Sequence, residues 1–144
     1  MTTLFSTTMT ARRTPAVARG RVAFVALWIT QVAVAAMFVF VGGLKLTGVP
    51  AMVALFDAIG VGQWFRYVTG SIEVVSGVAL LVPSLAPFGA LLLVPTMVGA
   101  IATHLFIVGG SPAPATVLLI GSLAILWGRR DQLKDAVSHG RNSQ

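Results

Sequence analysis

Apolar residues recur along this chain in four long runs, at 22–44, 64–82, 87–109 and 113–128, parted by one long break, 45–63, and two short ones. An α-helix rises about 1.5 Å per residue, and the hydrocarbon of a bilayer is about 30 Å thick. The first and third runs exceed that length and the second just reaches it. The fourth needs Trp127 and the residues around Pro112 and Pro114 to complete it. In lipid each run has to be helical, because no water is present to satisfy an open backbone. Between the first two runs, Pro50 can open a helix and Gly60 can close one. Met52, Leu55, Phe56 and Ile59 fall at i, i+3, i+4 and i+7, which is a single apolar stripe. The pattern predicts a short amphipathic helix over 50–59, followed by the interfacial aromatics Trp64, Phe65 and Tyr67.

The expected fold is all-α: a membrane-spanning four-helix bundle with a short amphipathic helix in its first outer loop. Residues 1–21, rich in Thr and Arg, show no packing period and read as a disordered basic arm. Residues 22–130 form the membrane domain, and 131–144 a polar tail. Composition agrees with this reading. Hydrophobic residues make up 56% of the chain and charged residues 10%, against about 25% charged in a soluble domain. Mean hydropathy is +0.90. So few charges cannot cover a water-facing surface, which excludes an ordinary soluble enzyme.

Charge placement then sets orientation. The formal net charge is +6, but the basic residues form no nucleic-acid-binding face. Arg12, Arg13, Arg19 and Arg21 precede the first run; Arg129, Arg130, Lys134 and Arg141 follow the last. The positive-inside bias and an even number of spans place both termini in the cytoplasm and the protein in the cell membrane. The chain has no cysteine, so it has no thiolate or iron–sulfur chemistry of its own. His104 and His139 are its two histidines. With His139 in the polar tail, no multi-histidine metal or haem site is expected.

Ionisable groups inside a bilayer are costly and mark function by default. Here they are Lys45, Glu73 and His104, with Arg66 at the rim. Glu73 lies seven residues beyond Arg66, about 10 Å below the outer rim. His104 lies six residues before Gly110, about 9 Å below the same rim. Lys45, at the outer end of the first span, can reach toward that depth. Gln31, Ala35, Phe38, Gly42 and Lys45 form one helical stripe, and Arg66, Thr69, Glu73 and Ser76 another. His104 shares a third with Met97 and Ala100, with Thr103 beside it. The ligand-binding or proton-relay candidates are therefore Lys45, Arg66, Glu73 and His104, with Gln31, Thr69, Ser76 and Thr103 secondary. Structural alternatives stay open beside each. Glu73 can be a carboxylate that holds the bundle by pairing with Lys45 or Arg66. His104 can be an interhelical donor, and Lys45 an interfacial anchor.

Several short motifs stand in order along the same region: Gly42-Gly43-Leu44-Lys45-Leu46, Ile59-Gly60, Phe65-Arg66-Tyr67 with Gly70 and Glu73, and Met97-Val98-Gly99-Ala100 followed by His104. Together they resemble the DoxX-like family of small four-helix membrane proteins, over about residues 22–128. The family takes its name from a subunit of an archaeal thiosulfate:quinone oxidoreductase. The resemblance implies a membrane role, with Lys45, Arg66, Glu73 and His104 as the positions that match its polar pattern.

Two functions follow as expectations. The first is an accessory or small-ligand-binding subunit with no catalysis of its own. The second is a quinone-interacting subunit of a membrane redox complex, in which Glu73 and His104 contact the head group. No intrinsic cofactor is expected, and quinone is the candidate external one. The expected partners are the bilayer, a membrane or redox subunit, or a second copy of the chain. No complete catalytic set is visible.

Overall fold

Proline and glycine punctuate the apolar runs, and the backbone changes direction where they fall. The computed structural model describes residues 15–142. Its helices are α1 (Pro15–Thr47), α2 (Pro50–Ile59), α3 (Gln63–Leu81), α4 (Ala86–Thr103), α5 (Ala113–Gly128) and α6 (Arg130–Asn142); a π-helical turn, His104–Val108, continues α4. Among the described residues there is no β-strand.

α1 begins seven residues before the apolar run predicts. Pro15 takes the first helical position, where its missing N–H costs nothing, and Ala16, Ala18 and Arg19 are good helix formers. The expected disordered arm is therefore helical over 15–21, and its remaining residues, 1–14, lie outside the described ones. The polar tail is likewise helical as α6. α1 stops at Gly48, whose φ of 71° suits a residue without Cβ. α2 opens on Pro50 and closes on Gly60, at φ 78°, the left-handed residue that commonly ends a helix. α4 runs through Pro95 to Thr103. The expected helix to residue 109 instead widens at His104.

α1 lies along α3 and also meets α5, while α4 packs against both α3 and α5. α2 rests on α3 and touches the end of α1 and the π-turn. α1 and α3 approach closely because glycine faces glycine: an ideal Cβ on Gly42 would stand 2.8 Å from the Gly70 carbonyl oxygen. Small residues permit such contact where side chains would hold the backbones apart. Ala35, Phe38, Leu80, Leu93, Met97 and Ile125 form the core.

Polarity is distributed in the opposite sense to a water-soluble fold. Gln31, Arg66, Glu73, Ser76, Ser122 and Arg129 are buried, while Phe24, Ile29, Phe40, Val75, Phe106, Ile120 and Trp127 are exposed. By length and composition, the segments Gly20–Thr47 and Ala86–Val108 can each cross a membrane.

Candidate functional site

A cavity of about 1010 Å³ opens at the α2 end of the helices. Its wall is mostly apolar, with Phe38, Phe56, Ile72, Met97 and Leu118 among the lining residues. Lys45, Glu73 and His104 reach it from α1, α3 and the π-turn, and Thr69 and Thr103 also line it.

Lys45 and Glu73 form the central contact. Lys45 Nζ donates to Glu73 Oε1 at 2.5 Å. The lysine side chain is 12% exposed and the carboxylate 1%. The amino group also lies 5.9 Å from the Phe56 ring centroid, so the α2 lid supplies a cation–π face. The second carboxylate oxygen, Oε2, is buried with no hydrogen-bond partner. An ionised carboxylate offers acceptors only, so a buried oxygen without a donor is an unmet demand.

His104 starts the π-turn, and its Nδ1 donates to the Gly109 carbonyl at 3.2 Å. A carbonyl oxygen can only accept, so Nδ1 carries the proton in this bond. In the neutral ring Nε2 is then left as an acceptor. π-turns are rare and recur at functional sites. The threonines offer less. Thr69 donates to the Phe65 and Arg66 carbonyls, and Thr103 to the Gly99 carbonyl.

Arg66 stands apart from Glu73. Its Nη1 donates to the Lys45 carbonyl, its Nε donates to Gln63 Oε1 at 2.7 Å, and its guanidinium lies 4.3 Å from the Tyr67 ring centroid. Gln63 in turn donates to Asp57 Oδ1 at 2.7 Å and to the Val53 carbonyl at 3.0 Å. Arg66 therefore ties the end of α1 to α2, and does so against Gly48. A Cβ there would meet the guanidinium at 3.2 Å. Of the two bases weighed as partners of the carboxylate, Lys45 makes the contact.

Gln31 and Ser76 do not join this cluster either. Ser76 is buried, and its hydroxyl has no hydrogen-bond partner. Gln31 belongs to the other end of the helices. It donates to the Leu80 carbonyl and accepts from Arg129 Nε at 2.9 Å. Arg129 lies 5.3 Å from the Trp28 ring centroid. With the Gln132 amide turned to satisfy both neighbours, Arg129 Nη1 also donates to it at 3.2 Å. Sequence reading placed Arg129 with the tail's orienting charges. The signal that locates it is Gln31 itself, a buried amide at the middle of α1 that needs a partner. Among the described residues, no cluster of three or more metal-ligating side chains occurs.

The sequence matches the model of the DoxX-like family over residues 29–128, and the chain belongs to that family. No curated protein and no solved structure matches it. Family membership and the long apolar helices fit a membrane protein.

Proposed function

As this DoxX-like chain is built, we propose that it is an accessory membrane protein whose helices hold a small amphiphilic molecule. One observation carries the reading: an apolar cavity of about 1010 Å³ with a buried ion pair in its wall. Ligand pockets of about 300–1,000 Å³ are typically apolar with a few placed polar groups. Here the apolar walls take the hydrocarbon part, and Lys45, Glu73 and His104 meet the head.

In this reading α1, α3, α4 with its π-turn, and α5 all cross the cell membrane as a four-helix bundle. Exposed apolar side chains around buried polar ones support it. The basic residues at both ends favour cytoplasmic termini, with the cavity in the outer half. Reporter fusions at Gln144 and within residues 47–62 are expected to report opposite sides; the same side for both would end this topology. Extraction of the purified protein into organic solvent, followed by mass spectrometry, is expected to return a stoichiometric lipophile.

A second reading is a quinone-interacting subunit of a membrane redox complex. Glu73 and His104 lining one cavity favours it. A bound quinone would supply the electron-carrying chemistry, and the chain would hold its head group. Extraction with absorbance detection separates the two readings.

A further inference from the structure

Glycine sets how closely these helices approach, and it does not act evenly along them. It draws α1 and α3 together at both ends of their shared stripe. An ideal Cβ on Gly77 would stand 3.1 Å from the Ala35 carbonyl oxygen, and one on Gly70 3.1 Å from that of Gly42. The other two seams are drawn together by glycine only farther from α2. Between α1 and α5, a Cβ on Gly121 would meet Val34 at 2.6 Å and one on Gly128 would meet Leu27 at 2.8 Å. Between α3 and α4, a Cβ on Gly89 would meet the Ser76 carbonyl oxygen at 2.8 Å. Continued toward α2, these antiparallel registers bring Met37 about level with Val117, and Val68 about level with Gly99. All four line the cavity, and all four are also exposed on the outside of the bundle. Nothing lies within 4 Å of an ideal Cβ on Gly99. Each seam therefore carries residues that belong to the cavity wall and to the outer surface at once. The α2 end is covered by contrast. Phe56 packs there on Phe65, with ring centroids 5.9 Å apart, and hydrogen bonds run from Asp57 through Gln63 and Arg66 to the Lys45 carbonyl.

From this we infer that the cavity is filled sideways from the bilayer, by a hydrocarbon chain of a membrane-dissolved lipid that passes between α1 and α5 or between α3 and α4. The inference rests on the cavity reading above and names where its ligand comes from. Outward-facing Phe40 and Val75 are exposed apolar residues on the same helices, so the phase outside both openings is hydrocarbon. A chain that moves from that phase onto an apolar wall exposes no apolar surface to water on the way. Neither opening needs a polar group to guide it, and Met37, Val68 and Val117 supply none. A ligand arriving from water has to lift α2 and break the run of hydrogen bonds that fastens it.

The test uses the full chain in nanodiscs made with a phosphatidylcholine that carries a diazirine in the middle of one acyl chain. After irradiation, modified residues are mapped by mass spectrometry. The head group holds this probe in its leaflet, so the diazirine reaches inward-facing residues only through a side opening. Ala100 and Leu118, which line the cavity and pack against the core, are expected to be labelled together with Phe40 and Val75. A small free probe, trifluoromethyl-phenyl-diazirine, reports on the cavity without that restraint. Val117→Trp combined with Gly99→Leu narrows both seams at positions with room for added atoms. Phospholipid labelling of Ala100 and Leu118 is then expected to be lost, and that of Phe40 and Val75 kept. If the double variant does not fold, each single variant is expected to lower the same inward labelling. Inward labelling by the free probe but not by the phospholipid, in the native protein, overturns the inference and leaves the cavity reading standing. So does inward labelling that persists at the native level in the folded double variant. Phospholipid labelling of Phe40 and Val75 that spares Met37 and Val117 means that a protein helix covers the seam, and it too overturns the inference. Inward labelling by neither probe overturns both.

Discussion

Near the end of α1, Lys45 meets a carboxylate; at its middle, Gln31 meets a guanidinium. The two α1 residues are fourteen positions apart, about 21 Å along the helix. Each sits on the inner stripe; Lys45 joins a carboxylate on α3, and Gln31 a guanidinium at the α5–α6 junction. They differ in what surrounds the contact. The Lys45–Glu73 pair borders a large apolar cavity and leaves one oxygen without a donor. The Gln31–Arg129 contact is flanked by Trp28, Leu80 and Gln132 and also leaves one buried atom, Arg129 Nη2, without a partner, but neither residue lines that cavity. A buried polar residue in this fold is therefore not functional by virtue of burial alone. The distinguishing property is the open volume beside the Lys45–Glu73 pair.

The comparison is most severely tested by breaking the ion pair from one side. Glu73→Leu leaves the Lys45 charge with no counter-ion and is expected to cost ~3 kcal/mol or more of stability. Adding Lys45→Met should restore most of that loss, since an apolar pair of similar volume removes both desolvation penalties. Thermal unfolding in detergent reads both variants. A double variant as unstable as the single one would show that the pair itself is not what matters.

Gln31→Leu probes the sealed end. It removes the acceptor of Arg129 Nε, and the expected loss is about 1–3 kcal/mol. Amphiphile retention by the surviving folded protein should match the native chain. A loss of retention would erase the division between the two ends.

A smaller effect is expected from Arg66→Lys. Arginine's fork reaches both the Lys45 carbonyl and Gln63, and an ammonium cannot reproduce that geometry. A loss of about 1.5 kcal/mol is expected from one charge-assisted hydrogen bond forgone, with faster hydrogen exchange confined to α2 and its flanks. Exchange accelerating throughout the protein would contradict Arg66 as a local tether. The mildest change is Asp57→Asn, which keeps an acceptor for Gln63 on an exposed surface. It should alter stability by less than about 0.5 kcal/mol.

Much of the helical layout was legible because proline and glycine stand at its boundaries. Pro50 and Gly60 bracket α2, and the apolar run 113–128 coincides with α5. The residues reaching the cavity could be grouped by counting along helices, since depth and face follow from rise and periodicity. Which base reaches Glu73 could not be read that way. Lys45 and Arg66 both lie within reach by count, and the choice depends on a turn at Gly48 that draws the guanidinium to the α1 carbonyl. Arg129 was hidden for a different reason. It adjoins Arg130, so it reads as part of a solvated charge run, whereas the α5–α6 junction turns it inward. The π-turn left no mark in hydropathy, because His104–Val108 is as apolar as a regular helix end.

That π-turn has a bearing on insertions and deletions. Its backbone bonds reach five residues back rather than four, so each turn holds one more residue than an α-helix. Removing a single residue from 105–108 gives the chain a length at which an ordinary α-helical turn can form. His104 would then lose the carbonyl that fixes its ring. In this segment the number of residues is itself a specification, and the chain tolerates a change of side chain there more readily than a change of length.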